Sequence, residues 1–298
     1  MTQASLGTGS DAPIKEIKSG PWRDGIRLFM RNKTAVFGLM IVLLFVVLAI
    51  LAPLITRYEY TTQVLADRLQ APSAQHWFGT DDLGRDIFTR TIYGARLSLW
   101  VGLLSVIGSI IVGTALGILA GFYGKWVDMI ISRFFDILLA FPGILLAIAI
   151  VAVLGPSLQN ALYAIAIVNI PTYGRLVRSR VLSLRQEEFI TAARAIGVPD
   201  TRILFRHILP NSITPIIVQG TLGIATAIIE AAGLGFLGLG AQPPEPEWGK
   251  MLSDSRQFIQ TAPWTVIFPG LCILLTSLGF NLMGDGLRDT FDPKLKNR

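Results

Sequence analysis

The chain has 298 residues, 52% of them hydrophobic and 15% charged, and its mean hydropathy is +0.56. Soluble domains carry about a quarter charged residues, so a water-soluble globular fold is excluded. The net charge of +6 sits in blocks between long apolar runs, which argues against a basic face for nucleic acid and fits Lys and Arg collected on the cytoplasmic side of a membrane.

Residues 1–20 are polar and mixed in charge, and the first apolar run begins only at Ala35. A cleaved secretory signal needs its apolar stretch directly after a short basic region, so this run reads as a retained membrane helix behind a cytoplasmic tail. A bilayer core about 30 Å thick needs about 20 apolar residues in a helix. Six runs meet or approach that length: Ala35–Ile55, Leu97–Tyr123, Met129–Leu154, Leu158–Tyr173, Asn211–Leu239 and Trp264–Met283. The sequence therefore predicts an all-α, polytopic membrane protein with six transmembrane helices. Its expected divisions are a tail over 1–33, a first helix over 34–56, an extracytoplasmic segment over 57–96, a five-helix core over 97–285 and a tail over 286–298.

Six crossings put both termini on one side. Lys15, Lys18, Arg23, Arg27, Arg31 and Lys33 place the first tail inside, and Arg288, Lys294, Lys296 and Arg298 place the last one there. The loop after the fourth run, with Arg175, Arg178, Arg180, Arg185, Arg194, Arg202 and Arg206, is inside as well. The 57–96 segment then lies outside, although its basic and acidic residues balance. No half of the chain repeats the other, unlike many self-sufficient transporters. That suggests a half-channel completed by another chain.

Within the second run, Gly113, Gly117 and Gly121 recur every four residues on one helix face and favour close helix packing inside the chain. Pro142, Pro171 and Pro215 each remove a backbone donor and predict kinks. Glu230 interrupts the fifth run. It either lines a substrate path and meets a cationic group, or it serves structure near a helix end. Two nucleotide-like patterns carry nothing: Gly233–Gly238 fits GxGxxG without a preceding strand, and Gly121–Lys125 lacks phosphate-loop spacing. No catalytic group and no metal site are expected: the one cysteine is Cys272, and His76 and His207 are far apart.

The inside loop, residues 183–210, is the most informative segment. Gln186–Ile196 is rich in helix formers, Gly197 suits the position just past a helix end, and Pro199 cannot continue it. Asp200 can cap a second short helix ending at His207, and Pro210 begins the return to the membrane. The prediction is a helix–turn–helix projecting from the cytoplasmic face, shallow at Ala192 and Ala193, onto which a partner's groove could press.

Thr191-Ala192-Ala193, Gly197 and Leu209-Pro210 in this loop resemble the EAA loop of bacterial ABC-importer permeases, with Thr191 where the family has Glu and Glu188 three residues earlier. Phe78–Arg90, Tyr93–Leu99, Phe236–Gly249, Asn281–Asp289 and Asp292–Lys296 are similar to segments of the dipeptide, oligopeptide, nickel and glutathione permeases. The resemblance runs from Arg31 to the C-terminus.

What it implies is a type I importer permease fold in the inner (plasma) membrane. A second, homologous permease would complete the path, two ATPase subunits would bind ATP and magnesium, and a periplasmic or lipid-anchored binding protein would deliver cargo. This chain would hold no cofactor and be no enzyme. Glu188, Thr191, Ala192, Ala193, Arg194, Gly197, Leu209 and Pro210 would form the coupling contact with an ATPase, and Glu230 would lie on the substrate path. Di- or oligopeptides and glutathione are the expected cargo. The alternatives are a nickel chelate, a secondary transporter working alone, a membrane enzyme using Glu230 or Asp136, and a docking scaffold.

Overall fold

The computed structural model of the protein describes residues 21–291. Lys15, Lys18, Lys294, Lys296, Arg298 and the segment from Asp292 to Lys296 lie outside the described residues. The described residues form helices and connecting turns, with one isolated two-residue bridge between Thr80 and Asp86 and no strand.

Helix α1 (Pro21–Arg31) leads directly into α2 (Lys33–Ile55), the first apolar run. Asn32 separates them because its side-chain oxygen accepts from the Thr34 and Ala35 N–H groups at 3.1 and 3.2 Å, capping α2. Helix α3 (Ile87–Tyr123) follows a folded segment and is 37 residues long. It starts ten residues before the expected span. Asp86 caps its N-terminus by accepting from Thr89 N–H at 2.7 Å, so the last part of the expected extracytoplasmic segment is already helix.

Helices α4 (Lys125–Leu139) and α5 (Gly143–Leu154) replace the expected straight third span. They meet at 90°, and Pro142 is the N-cap of α5. The kink expected at Pro142 is therefore a complete break. Helix α6 (Leu158–Leu184) passes well beyond Tyr173, where the apolar run ends. Arg175 donates to Asp136 at 2.6 Å and Arg178 Nη2 to Asp128 at 2.7 Å, both carboxylates coming from α4. A charge that ends an apolar run does not end a helix when a neighbouring helix supplies its counter-ion.

Helix α7 (Glu188–Ala195) and the single turn α8 (Asp200–Ile203) form the loop. The second loop helix is not separate. Asp200–Phe236 is one continuous 37-residue helix that comprises α8, a π-helical turn over Leu204–Ile208, and α9 (Leu209–Phe236). The Leu209 N–H reaches back five residues to the Leu204 carbonyl. That wider turn lets the chain pass Pro210, whose missing donor would otherwise break the ladder. Helix α10 (Trp248–Ser255) is short, and α11 (Trp264–Phe291) ends the described chain.

Among the described residues, four helices are long and apolar enough to cross a membrane: α2, α3, the Asp200–Phe236 helix and α11. The bent pair α4–α5 makes a fifth if it is one crossing. Helix α6 has the length, 27 residues, but Arg175, Arg178 and Arg180 make its second half polar.

The most extensive seam is α3 against α6. A Cβ on Gly113 would stand 2.8 Å from the Ile170 carbonyl, on Gly117 2.5 Å from that of Gly174, and on Gly121 2.8 Å from Val181 Cβ. The glycine stripe serves packing within the chain, as its spacing suggests. Around this seam Val101, Val151, Ala164, Ile165, Ala227 and Leu234 form the central core.

Candidate functional site

The loop helix α7 is held from below. Ile190 and Ala193 are buried with Phe122, Val177, Val181, Leu184, Ile203, Leu204 and Ile208. Full burial of an Ile side chain stabilises by about 1.5–3 kcal/mol, enough to hold an eight-residue helix that could not persist alone. The helix ends in a Schellman motif. Gly197 N–H donates to the Arg194 carbonyl and Val198 N–H to the Ala193 carbonyl, both at 3.0 Å. Gly197 has φ +78°, the left-handed conformation that glycine adopts freely. Asp200, expected as a cap, is instead the first residue of α8 and makes no capping bond; Pro199 takes the cap position.

The predicted coupling residues divide by orientation. Glu188, Thr191, Ala192 and Gly197 are exposed, as is Pro210 at the start of α9. Ala193 is buried and Leu209 half-buried, so both support the surface rather than form it. Arg194 lies with its guanidinium 5.3 Å from the centre of the Phe122 ring and braces the loop against the end of α3. Residues absent from the predicted set complete the exposed face: Phe189 is 45% exposed, Ile196 81% and Phe205 70%. Three large apolar side chains are thus displayed together at the basic end of the molecule that carries α7. Phe189 and Ile196 fall in the stretch that the sequence marks as helical, but helix propensity assigns a side chain no direction.

Glu230 lies within α9, and its Oε2 accepts from the Asn169 amide of α6 at 3.0 Å. The sequence marked Glu230 and missed Asn169, since nothing in a one-dimensional reading pairs α6 with α9.

The opposite end of the molecule carries a buried polar knot. Asp81 accepts from Arg85 Nε at 2.6 Å and from the Leu83 and Arg85 N–H groups at 2.9 Å, and Arg90 Nε lies 3.6 Å away. His76 Nδ1 contacts Asp86 at 2.9 Å, and the Tyr58 ring stacks on His76 at 5.0 Å. Burial pushes the neighbouring Asp82 carboxyl above the ordinary carboxylate range, and the negative charge of Asp81 adds to this. Glu247 caps α10 by accepting from the Gly249 and Lys250 N–H groups at 2.8 Å. Its complete burial raises its pKa, opposed by those two bonds and by the Ser98 hydroxyl. Charge counting showed these residues in balance but not that they are inside the protein.

Residues 113–297 match the family of binding-protein-dependent transport system inner-membrane components, and residues 20–72 match the N-terminal transmembrane domain of oligopeptide transport permease C. The chain belongs to this permease family. The dipeptide transport system permease protein DppC of Alkalihalophilus pseudofirmus is 67% identical over 93% of this chain and 91% of its own length. The glutathione transport system permease protein GsiD of Pectobacterium atrosepticum is 50% identical over 93% and 92%. The di/tripeptide transport system permease protein DppC of Pseudomonas aeruginosa is 49% identical over 96% and 94%. In fold, the permease resembles the MetNI methionine ABC transporter in an inward-facing form, at 19% identity and TM-score 0.55, covering 69% of this chain and 98% of that one. An amino acid ABC transporter is similar at 14% identity and TM-score 0.53, over 66% and 92%. The type I importer permease architecture is thus that of this chain.

Proposed function

We propose that this permease forms, with a second and homologous permease, the path by which short peptides cross the bacterial inner membrane. The observation that carries the cargo is the 67% identity to a dipeptide permease along 93% of the chain. Two ATPase subunits bind ATP and magnesium and supply the energy, and a periplasmic or lipid-anchored binding protein delivers the peptide. The permease itself holds no cofactor and catalyses no reaction. It crosses the membrane six times, α4–α5 and α6 included, with both termini in the cytoplasm. The basic loop end bearing α7 supports this orientation.

The coupling contact is the surface of α7 and the start of the α8–α9 helix. Glu188, Thr191, Ala192 and Gly197 lie beside Phe189, Ile196 and Phe205 there, while Arg194, Ala193, Leu209 and Pro210 set its shape. Movement of an ATPase groove against this rigid knob is transmitted through the continuous Asp200–Phe236 helix, because no flexible joint separates the loop from the span. Glutathione is the second reading for cargo, on the 50% identity to a glutathione permease.

The importer, purified with its partner subunits and reconstituted in vesicles, is expected to hydrolyse ATP faster when its binding protein carries a dipeptide. Stimulation by glutathione alone, or by a nickel chelate alone, reassigns the cargo. Uptake by the lone chain on an ion gradient overturns the ATP-driven reading altogether.

A further inference from the structure

Along α9, Pro215, Gln219, Gly223, Thr226, Glu230 and Gly233 follow one another at steps of four or three, so they share one helix face. None of the six is buried, and Thr226 is exposed. Buried Ala225 and Ile228 lie on the other side of the helix, and buried Ile216, Ala227 and Leu234 flank the face along one edge. The face therefore combines polar side chains with missing ones, along a helix otherwise apolar enough to sit in lipid. Exposure of such a face to hydrocarbon is unfavourable, by about 2.5–3.5 kcal/mol for a charged residue alone at a helix centre. Water satisfies it instead.

The neighbouring helices define what the face looks onto. Gly223 lies against the Tyr173 hydroxyl of α6, and an ideal Cβ on Gly233 would stand 3.8 Å from Ile144 of α5. Between them, Asn169 of α6 donates to Glu230 Oε2. Among the described residues no second donor reaches Glu230 and no cation pairs with it. The nearest basic side chains of α6, Arg175 and Arg178, are engaged by Asp136 and Asp128. One carboxylate oxygen is thus held in place by a neutral amide, and the other is left for a donor that the chain does not supply. That is the arrangement a transient cationic ligand requires. A resident Arg or Lys partner would compete with the cargo, and no partner at all would leave the carboxylate unoriented.

We infer that Glu230, positioned by Asn169, is the point on the translocation path that receives the protonated amino terminus of the passing peptide. This rests on the peptide-permease reading above. A primary ammonium carries three donors and matches a single free carboxylate oxygen. An acetylated amino terminus carries neither the charge nor those donors.

The test uses the complete importer in vesicles, driven by saturating binding protein preloaded with either a dipeptide or its N-acetyl derivative. Saturation removes the binding protein's own preference from the comparison. The ratio of the two uptake rates is expected to be about 10 for the wild type, as for one hydrogen-bonded charged contact. It should fall close to one in Glu230→Gln, whose amide oxygen still accepts from Asn169, and stay high in Glu230→Asp. A global loss of folding scales both rates alike and leaves the ratio untouched. An unchanged ratio in Glu230→Gln overturns the inference. A second variant reads access directly. In a Cys272→Ser background, Glu230→Cys in the assembled importer should react with a small cationic thiosulfonate from the aqueous phase, and peptide-loaded binding protein with ATP should change the rate. Failure to react overturns the inference, since the face would then not line water. A wild-type importer that moves neither compound overturns the peptide reading itself, and the inference with it.

Discussion

Gly197 is the most sensitive position for testing how the coupling loop is held. Its φ of +78° is strained for any residue with a Cβ, yet an ideal Cβ there would have no atom within 4 Å. Substitution therefore perturbs the backbone and nothing else in the chain. The left-handed conformation costs an ordinary residue about 1–2 kcal/mol. At about 1.4 kcal/mol per factor of ten, that weakens the closed loop against its opened forms by about 5- to 30-fold. The order of severity follows tolerance of positive φ, not size: Gly197→Asn mildest, Gly197→Ala intermediate, Gly197→Val worst. Hydrogen exchange in the assembled importer reads this at the Gly197 and Val198 amides, whose bonds to the Arg194 and Ala193 carbonyls close the motif. The ATP consumed per peptide transported should rise in the same order. An order that tracks side-chain volume, with alanine milder than asparagine, refutes the backbone argument and points to a contact made by a partner subunit.

Gly117→Val should separate α3 from α6, because its Cβ already falls 2.5 Å from the Gly174 carbonyl and 3.0 Å from Val177 Cβ, and neither can move without the helix. Loss of about 3 kcal/mol or more, seen as a lowered melting temperature in detergent, checks it. Asp81→Asn removes the nearer counter-charge of buried Arg85, leaving Asp82 at 3.9 Å, and should cost about 3 kcal/mol, read as protease sensitivity of residues 57–86 in sealed cells while α7 keeps its protection. For Glu247 the folded-state pKa is raised by burial above the ordinary 4.5. Its contribution is therefore complete below pH 4.5 and is lost as pH climbs through the folded value. Hydrogen exchange of α10 should quicken over that rise, and Glu247→Gln, whose single amide oxygen keeps one of the two capping bonds and cannot titrate, should abolish the dependence.

The hydropathy of the chain and the blocks of Arg and Lys were enough to establish a helical, polytopic membrane protein. Local chemistry at Gly197 and Pro199 was enough to stop the loop helix, and the Gly113–Gly121 stripe was enough to mark a close helix seam. These features act within a few residues or along one helix face, so a linear reading captures them. The tertiary structure alone decided the rest. Asp128 and Asp136 carry α6 past the charges that end its apolar run. The π-helical turn before Pro210 joins loop to span, and Asn169 of α6 meets Glu230 of α9 across 61 positions. The inward turn of Ala193 and the outward turn of Ile196 depend on the cluster around Phe122 that lies beneath them. Each of these is a pairing between distant segments, and its energy does not exist until the helices are packed.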